Sequence, residues 1–185
     1  MYRLFVAIDL PGWVKQELRR LCFGLRGARW MTEDQMHLTL RFIGEVDGNV
    51  FRDAAEALQS VDVTPFELEL KGLGFFPPRR SPETLWVGVK KNDTLLLLRN
   101  RIESALVKTG IKPEGRKFSA HVKLARLKDT PTEHVAQYLT ENSLFRLEPF
   151  TVSQFHLYSS FLASEGAIHT VEATYELQKG RSLQE

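Results

Sequence analysis

The sequence predicts an α+β fold of two pseudo-repeated lobes, each of mainly antiparallel sheet with helices packed outside, flanking a central cleft. Three observations predict it. In Met36-His37-Leu38-Thr39-Leu40-Arg41-Phe42 every second residue is apolar. That is the period of a half-buried strand, so His37, Thr39 and Arg41 project together from the other face. Residues 118–124 repeat the pattern 84 positions later, with Ser119, His121 and Lys123 opposed to Phe118, Ala120, Val122 and Leu124. Between these two segments the order of strands and helices restarts. The same shift lays Pro65-Phe66 on Pro149-Phe150 and Leu73-Gly74-Phe75 on Leu157-Tyr158-Ser159, as a duplicated unit would.

Each element has its own signal. Residues 4–10 are apolar and suit a strand. Pro11 can open a helix, and Val14, Leu18, Leu21, Cys22 and Leu25 follow at helical spacing up to Gly27. The His37 strand closes at Gly44. A helix over 50–61 carries Phe51, Ala54, Ala55 and Leu58 on one face, and 66–70 alternates as a strand. Residues 72–82, rich in Gly and Pro, read as a loop or bulged strand end. The second round is a strand over 85–89, a helix over 94–108 ended by Gly110 and Pro113, and the strand over 118–124. A short helix over 132–139 and strands over 150–157 and 169–177 complete it, with a frayed end beyond Gln178.

Composition narrows the function classes. With 185 residues, 43% hydrophobic and 26% charged, the chain has the make-up of a soluble globular protein with a sizeable core. A net charge of +2 is too mild for a general nucleic-acid coat, so an anionic partner must be held by a local cluster. The single cysteine, Cys22, excludes an intrachain disulfide, suits a reducing cytoplasm and reads as core rather than nucleophile. No apolar run is long enough to span a bilayer, and the stretch 4–8 is too short for a signal-peptide core.

The two strands permit one chemistry better than others. Displacement at phosphorus needs one group to take a proton from the attacking oxygen and another to give one to the leaving oxygen. Histidine does both near neutral pH. A hydroxyl such as Thr39 and a cation such as Lys123 can hold the non-bridging oxygens. This set needs no metal or cofactor. No carboxylate, cysteine or third histidine recurs beside His37 or His121 at ligand spacing. Covalent catalysis lacks an obvious nucleophile. His134 in a helix, His156 on an apolar strand face and His169 near a turn read as incidental. Gly72-Leu73-Gly74 matches neither a P-loop nor a dinucleotide fingerprint.

His37-Leu38-Thr39-Leu40, followed by Arg41-Phe42-Ile43-Gly44-Glu45, resembles the first signature of the 2H phosphoesterase superfamily. The nearer likeness is to its RNA 2′,3′-cyclic phosphodiesterase branch, also called the 2′-5′ RNA ligase family. Further segments carry it along the chain, namely 3–11, 72–77, 85–89, 121–126 and 155–159. The resemblance implies one bilobal domain over 1–185 acting on RNA ends or nucleotides that bear a 2′,3′-cyclic phosphate. The chain is expected to be a monomer, and the short apolar stretch 4–8 and the single cysteine make the cytoplasm its expected place. The resemblance also implies His37 as the proton donor to the departing ribose 3′ oxygen and His121 as the proton acceptor that activates water. The product would carry a 2′-phosphate. Thr39 and Arg126 would bind the phosphate, and Arg126 requires a bulge or strand end because strict alternation turns it to the wrong face.

One position departs from the family pattern, which places threonine where this chain has Lys123. In one reading Lys123 binds the phosphate as a longer point charge. In the other its bulk crowds the pocket. Either way a cation beside His121 favours a neutral imidazole. The expectation is retained phosphate binding with altered turnover; the alternative is a weakly active or non-catalytic binder of RNA ends or nucleotides. Phe5, Phe42 and Tyr158 are open between base stacking and core, and Arg79-Arg80, Arg116-Lys117 and residues 126–128 between backbone guidance and plain solvation.

Overall fold

The computed structural model describes residues 1–178, so the expected frayed end lies outside the described residues. Ten strands and four helices are laid out as β1 (Tyr2–Asp9), α1 (Gly12–Arg19), β2 (Ala28–Trp30), β3 (His37–Val46), α2 (Gly48–Ala57), β4 (Phe66–Leu68), β5 (Leu70–Phe76), β6 (Thr84–Val89), α3 (Asp93–Lys108), β7 (His121–Leu127), α4 (Thr132–Glu141), β8 (Phe150–Val152), β9 (Gln154–Ala163) and β10 (Gly166–Glu176). Local chemistry sets the helix starts. The Asp47 carboxylate accepts from the amides of Asn49 and Val50, both at 2.9 Å, and Asn92 caps α3 through the Leu95 amide at 2.9 Å.

The main sheet is antiparallel and runs β10-β9-β1-β3-β7-β6-β5, with β2 also on β7. One lobe contributes β10, β9, β1 and β3, and the other β7, β6 and β5. They join at a single residue pair, Leu38 with Val122, and again in the small sheet where β4 meets β8 through Glu67 and Thr151. Both pairs link residues 84 positions apart, so an approximate twofold axis relates the lobes and passes through both junctions. Residues 68 and 70 of the expected strand 66–70 fall in different strands because the chain breaks at Glu69. The expected strand 150–157 breaks at its counterpart, Ser153.

The helices cover one face. Val14 and Leu18 of α1, Ala54 of α2, Leu98 and Ile102 of α3 and Val135 of α4 share one buried cluster with Leu4, Val6, Ile8, Leu38, Leu40, Leu85, Val87, Val122 and Leu124. Burying this much apolar surface is the main term holding the lobes together. On the opposite, cleft face Phe5, Ala7 and Tyr158 form a separate cluster.

Several expectations are corrected. Helix α1 stops at Arg19 rather than near Gly27. Leu21 and Cys22 close short turns onto Leu18 and Arg19, and Gly24 and Gly27 take φ of +77° and +79°, which end helical winding. Leu21 and Leu25 remain core without the helix, and the half-buried Cys22 packs beside them with its thiol pKa pushed up by burial. Of residues 72–82, expected as a loop or a bulged strand end, 72–76 belong to β5, whose register shifts between Leu70 and Leu73. Gly74 is required there because a Cβ would fall 2.2 Å from the Trp86 indole. Residues 118–120 are not strand, since β7 begins at His121, and β2 was not anticipated. His156 lies opposite Ala7 on the cleft side, not on the apolar face, and its Nδ1 is bonded to the Thr174 hydroxyl at 2.9 Å.

Candidate active site

The antiparallel pairing of Leu38 with Val122 points both side chains into the core, so their neighbours face the cleft. Continued by one residue each way, this register sets His37 across from Lys123 and His121 across from Thr39. Each histidine is thereby set opposite the residue that follows the other histidine by two positions.

Beyond Thr39 and Lys123 both strands carry the same irregularity. Thr39 pairs with Ala7 but Arg41 with Val6, which leaves Leu40 as an extra residue. Lys123 pairs with Trp86 but Ala125 with Leu85, which leaves Leu124 extra. Such a bulge reverses the facing of everything after it. Arg126 therefore returns to the cleft face, as its role by resemblance requires. Arg41, expected beside His37 and Thr39, is turned away instead and Phe42 takes its place, 63% exposed at the cleft rim. Arg41 is buried. Its Nε donates to Glu103 of α3 at 2.5 Å, and its other nitrogens donate to the carbonyls of Phe42 and of Lys112, the latter at 2.5 Å. Glu103 also accepts the Glu114 amide at 2.9 Å, which anchors the irregular segment leading to His121. Burial raises the Glu103 pKa, but the Glu114 amide and the Arg41 guanidinium outweigh it and hold the carboxyl below the usual range.

The two imidazoles are held differently. His121 Nδ1 lies 2.7 Å from the Ser119 carbonyl oxygen. A carbonyl only accepts, so Nδ1 carries the hydrogen and, in the neutral ring, Nε2 keeps a free lone pair. Phe76 meets the ring edge-on at 5.1 Å, and Trp86 lies at 6.3 Å. His37 instead lies on aromatic rings, stacked with Phe5 at 5.0 Å and Tyr158 at 5.5 Å. Its pKa is pushed down to about 4, first by burial and then by the neighbouring His169 and Lys15, while Asp9 acts in the opposite sense. Asp9 pairs with His37 across the β1–β3 ladder and binds Lys15 at 2.9 Å.

By sequence His169 reads as incidental. It lies in β10, edge-on to His37 at 5.2 Å and to Phe5 at 5.0 Å. The turn between β9 and β10 is tied down by Arg29, which donates to the Glu165 carbonyl at 2.9 Å, and by Gln35, which donates to the Ala167 carbonyl at 3.1 Å. These bonds join the hairpin that carries His169 to the segment just before β3. Alternation found the strand, but nothing local to His169 marks the partner ring.

Lys123 is half-buried, and burial followed by Arg126 lowers its pKa from the usual lysine value. His134 is exposed on α4, away from this group. Among the described residues no group of three or more His, Cys, Asp or Glu could hold a metal ion, and no helix is long and apolar enough to cross a membrane.

A family model described as LigT-like phosphoesterase matches twice, over residues 8–86 and 87–169, one match on each copy of the sequence repeat. The RNA 2′,3′-cyclic phosphodiesterase of Thermotoga maritima is 35% identical over 182 residues, covering 95% of each chain. That of Archaeoglobus fulgidus is 31% identical over 170 residues, covering 90% of this chain and 96% of its own. The crystal structure of E. coli LigT complexed with 3′-AMP superposes with a TM-score of 0.76 at 25% identity, covering 96% of this chain and 99% of the other.

Proposed function

Because the chain belongs to the LigT-like phosphoesterase family, we propose that it hydrolyses 2′,3′-cyclic phosphates at RNA or nucleotide ends to 2′-phosphates by a two-histidine, metal-independent mechanism. One observation carries the assignment of roles. The bond from His121 Nδ1 to the Ser119 carbonyl leaves Nε2 as a proton acceptor, the state a general base needs. His121 takes a proton from water, the water oxygen bonds to phosphorus, and the bond from phosphorus to the ribose 3′ oxygen breaks. His37 gives that oxygen its proton, while Thr39, Lys123 and Arg126 hold the non-bridging oxygens.

The acid must be charged before it can act. With no anion beside it His37 is neutral at pH 7, since its pKa is pushed down to about 4. An anionic phosphate brought beside it raises that pKa, because a nearby opposite charge favours the imidazolium. Substrate binding therefore loads the donor. The same reading makes the protein a monomer, a single bilobal domain over 1–185, working in the cytoplasm, where a thiol such as Cys22 stays reduced.

The decisive assay is turnover of a 2′,3′-cyclic nucleotide in EDTA, with the product isomer identified. Release of the 2′-phosphate is expected, with losses of roughly 10²–10⁴-fold in kcat for His37→Ala and for His121→Ala. Binding without turnover would leave a non-catalytic binder of RNA ends, as the lysine at position 123 also allows. Release of the 3′-phosphate would reverse the assigned leaving group.

A further inference from the structure

Lys123 and Arg126 are three residues apart, a spacing that in a regular strand would put them on opposite faces. The extra residue Leu124 brings both to the cleft face, where they are paired across the ladder with Trp86 and Thr84. Neither of these carries a charge, and the partner of Arg126 on its other side, Arg29 of β2, is a further cation whose guanidinium donates to the Glu165 carbonyl. Among the described residues neither Lys123 nor Arg126 makes an ion pair or a side-chain hydrogen bond, although other cations are neutralised, Arg146 and Lys90 by Glu69 and Arg41 by Glu103. The groups beside Lys123 are Arg126 on its own strand and Trp86 on β6, and the register continued from Leu38 and Val122 sets His37 opposite it on β3. None is an anion. Two close positive charges with no counter-charge, one of them half-buried, make a place for more than one negative charge.

The proposed reaction changes ligand charge at this point. A cyclic phosphodiester carries one negative charge, whereas the phosphomonoester left by its hydrolysis carries about −1.5 to −2 at pH 7. A threonine in the second motif would offer a neutral donor that hardly distinguishes the two. We propose that Lys123 and Arg126 form a dianion site that holds the 2′-phosphomonoester end in preference to the cyclic substrate, so that this chain retains its product. The site thereby works as a receptor for 2′-phosphorylated ends as well as a place of turnover, and accumulating product restrains the reaction. This inference rests on the cleft reading above, but its test does not need turnover.

The experiment is calorimetric titration with adenosine 2′-monophosphate, adenosine 2′,3′-cyclic monophosphate and inorganic phosphate, in a His121→Asn background that stops hydrolysis of the cyclic form. The monoester is expected to bind about tenfold more tightly than the cyclic nucleotide. Lys123→Thr and Lys123→Met should abolish the difference, and Lys123→Arg should keep it, which separates charge from stem packing. Inorganic phosphate should bind through Lys123 more weakly than the nucleotide. Equal affinity for monoester and cyclic form overturns the inference, as does a preference that survives Lys123→Met. Inorganic phosphate binding as tightly as the nucleotide overturns the assignment to product ends. A parent protein that turns over cyclic phosphate yet binds both forms equally sinks this inference alone. A Lys123-dependent preference without turnover in the parent sinks the hydrolysis reading alone.

Discussion

Along the pairing register, the His37 strand lies beside Asp9, Ala7 and Phe5, and the His121 strand beside Gly88, Trp86 and Thr84. The backbone is the same on both sides, down to the extra residue at Leu40 and at Leu124. The chemistry hung on it is not. In the first lobe the bulge buries Arg41 and exposes Phe42, and the histidine rests on stacked rings that hold it neutral. In the second it buries Ala125 and presents Arg126, and the histidine is fixed through one ring nitrogen. Duplication supplied two equivalent frames. Divergence left one histidine on a dry aromatic seat and set the other beside two cations, the arrangement that the proposed proton donor and phosphate site would use.

The two arginines test this division most severely. Arg41 is 6% exposed and satisfies Glu103 and two carbonyls, so its loss strands a half-buried carboxylate and loosens the segment before His121. Arg41→Met is expected to destabilise by about 3–5 kcal/mol in urea unfolding. Arg126→Met, at an exposed site, should stay within about 0.5 kcal/mol and act on KM for the cyclic nucleotide instead. Equal stability losses would mean that the second lobe also relies on its arginine to fold, and the proposed division of labour would fail.

A smaller effect separates the histidines by pH. His37 has a folded pKa near 4 against an ordinary value of 6.5, so the unfolded chain binds the extra proton between those values. Stability is then constant above about pH 6.5 and falls as the pH drops toward 4, by about 3 kcal/mol for this group. Burial lowers His156 and His169 as well, so the parent curve includes their slopes. The measurement is the difference between the parent and His37→Asn in urea midpoints from pH 7 to pH 4. The variant should lose the His37 share; superimposable curves would show that the seat of His37 is wet.

How much of this could be read beforehand follows from where each cause lies. Alternation placed His37, Thr39, His121 and Lys123 on polar strand faces because those residues precede the bulges. It failed at Arg41, whose burial depends on Glu103, 62 residues away. Helical spacing carried α1 too far because Leu21 and Leu25 are buried as a helix would bury them, while the stop comes from glycines with positive φ. His169 was legible as part of a strand but not as a neighbour of His37. The bonds holding its hairpin run from side chains to backbone carbonyls, which leave no mark in the side-chain pattern.

The rim positions give the finest test, because Phe42 and Arg126 are equivalent residues on equivalent bulges. An exposed aromatic is ordinary on a protein surface and by itself says little. Here it projects over the same cleft as its cationic counterpart, 6.0 Å from Phe5, whose ring is already committed beneath His37. If Arg126 takes the phosphate, Phe42 is the free ring on the other wall for a base to stack on. Phe42→Ala should then weaken a cyclic nucleotide by about 1 kcal/mol, roughly fivefold, with stability unchanged, because a base–aromatic stack is worth at least that much. Phe42→Trp should restore the loss. An unchanged KM for the alanine variant would shift base recognition to Phe76 and Trp86 beside His121, and would make the second lobe the seat of the whole nucleotide rather than of its phosphate alone.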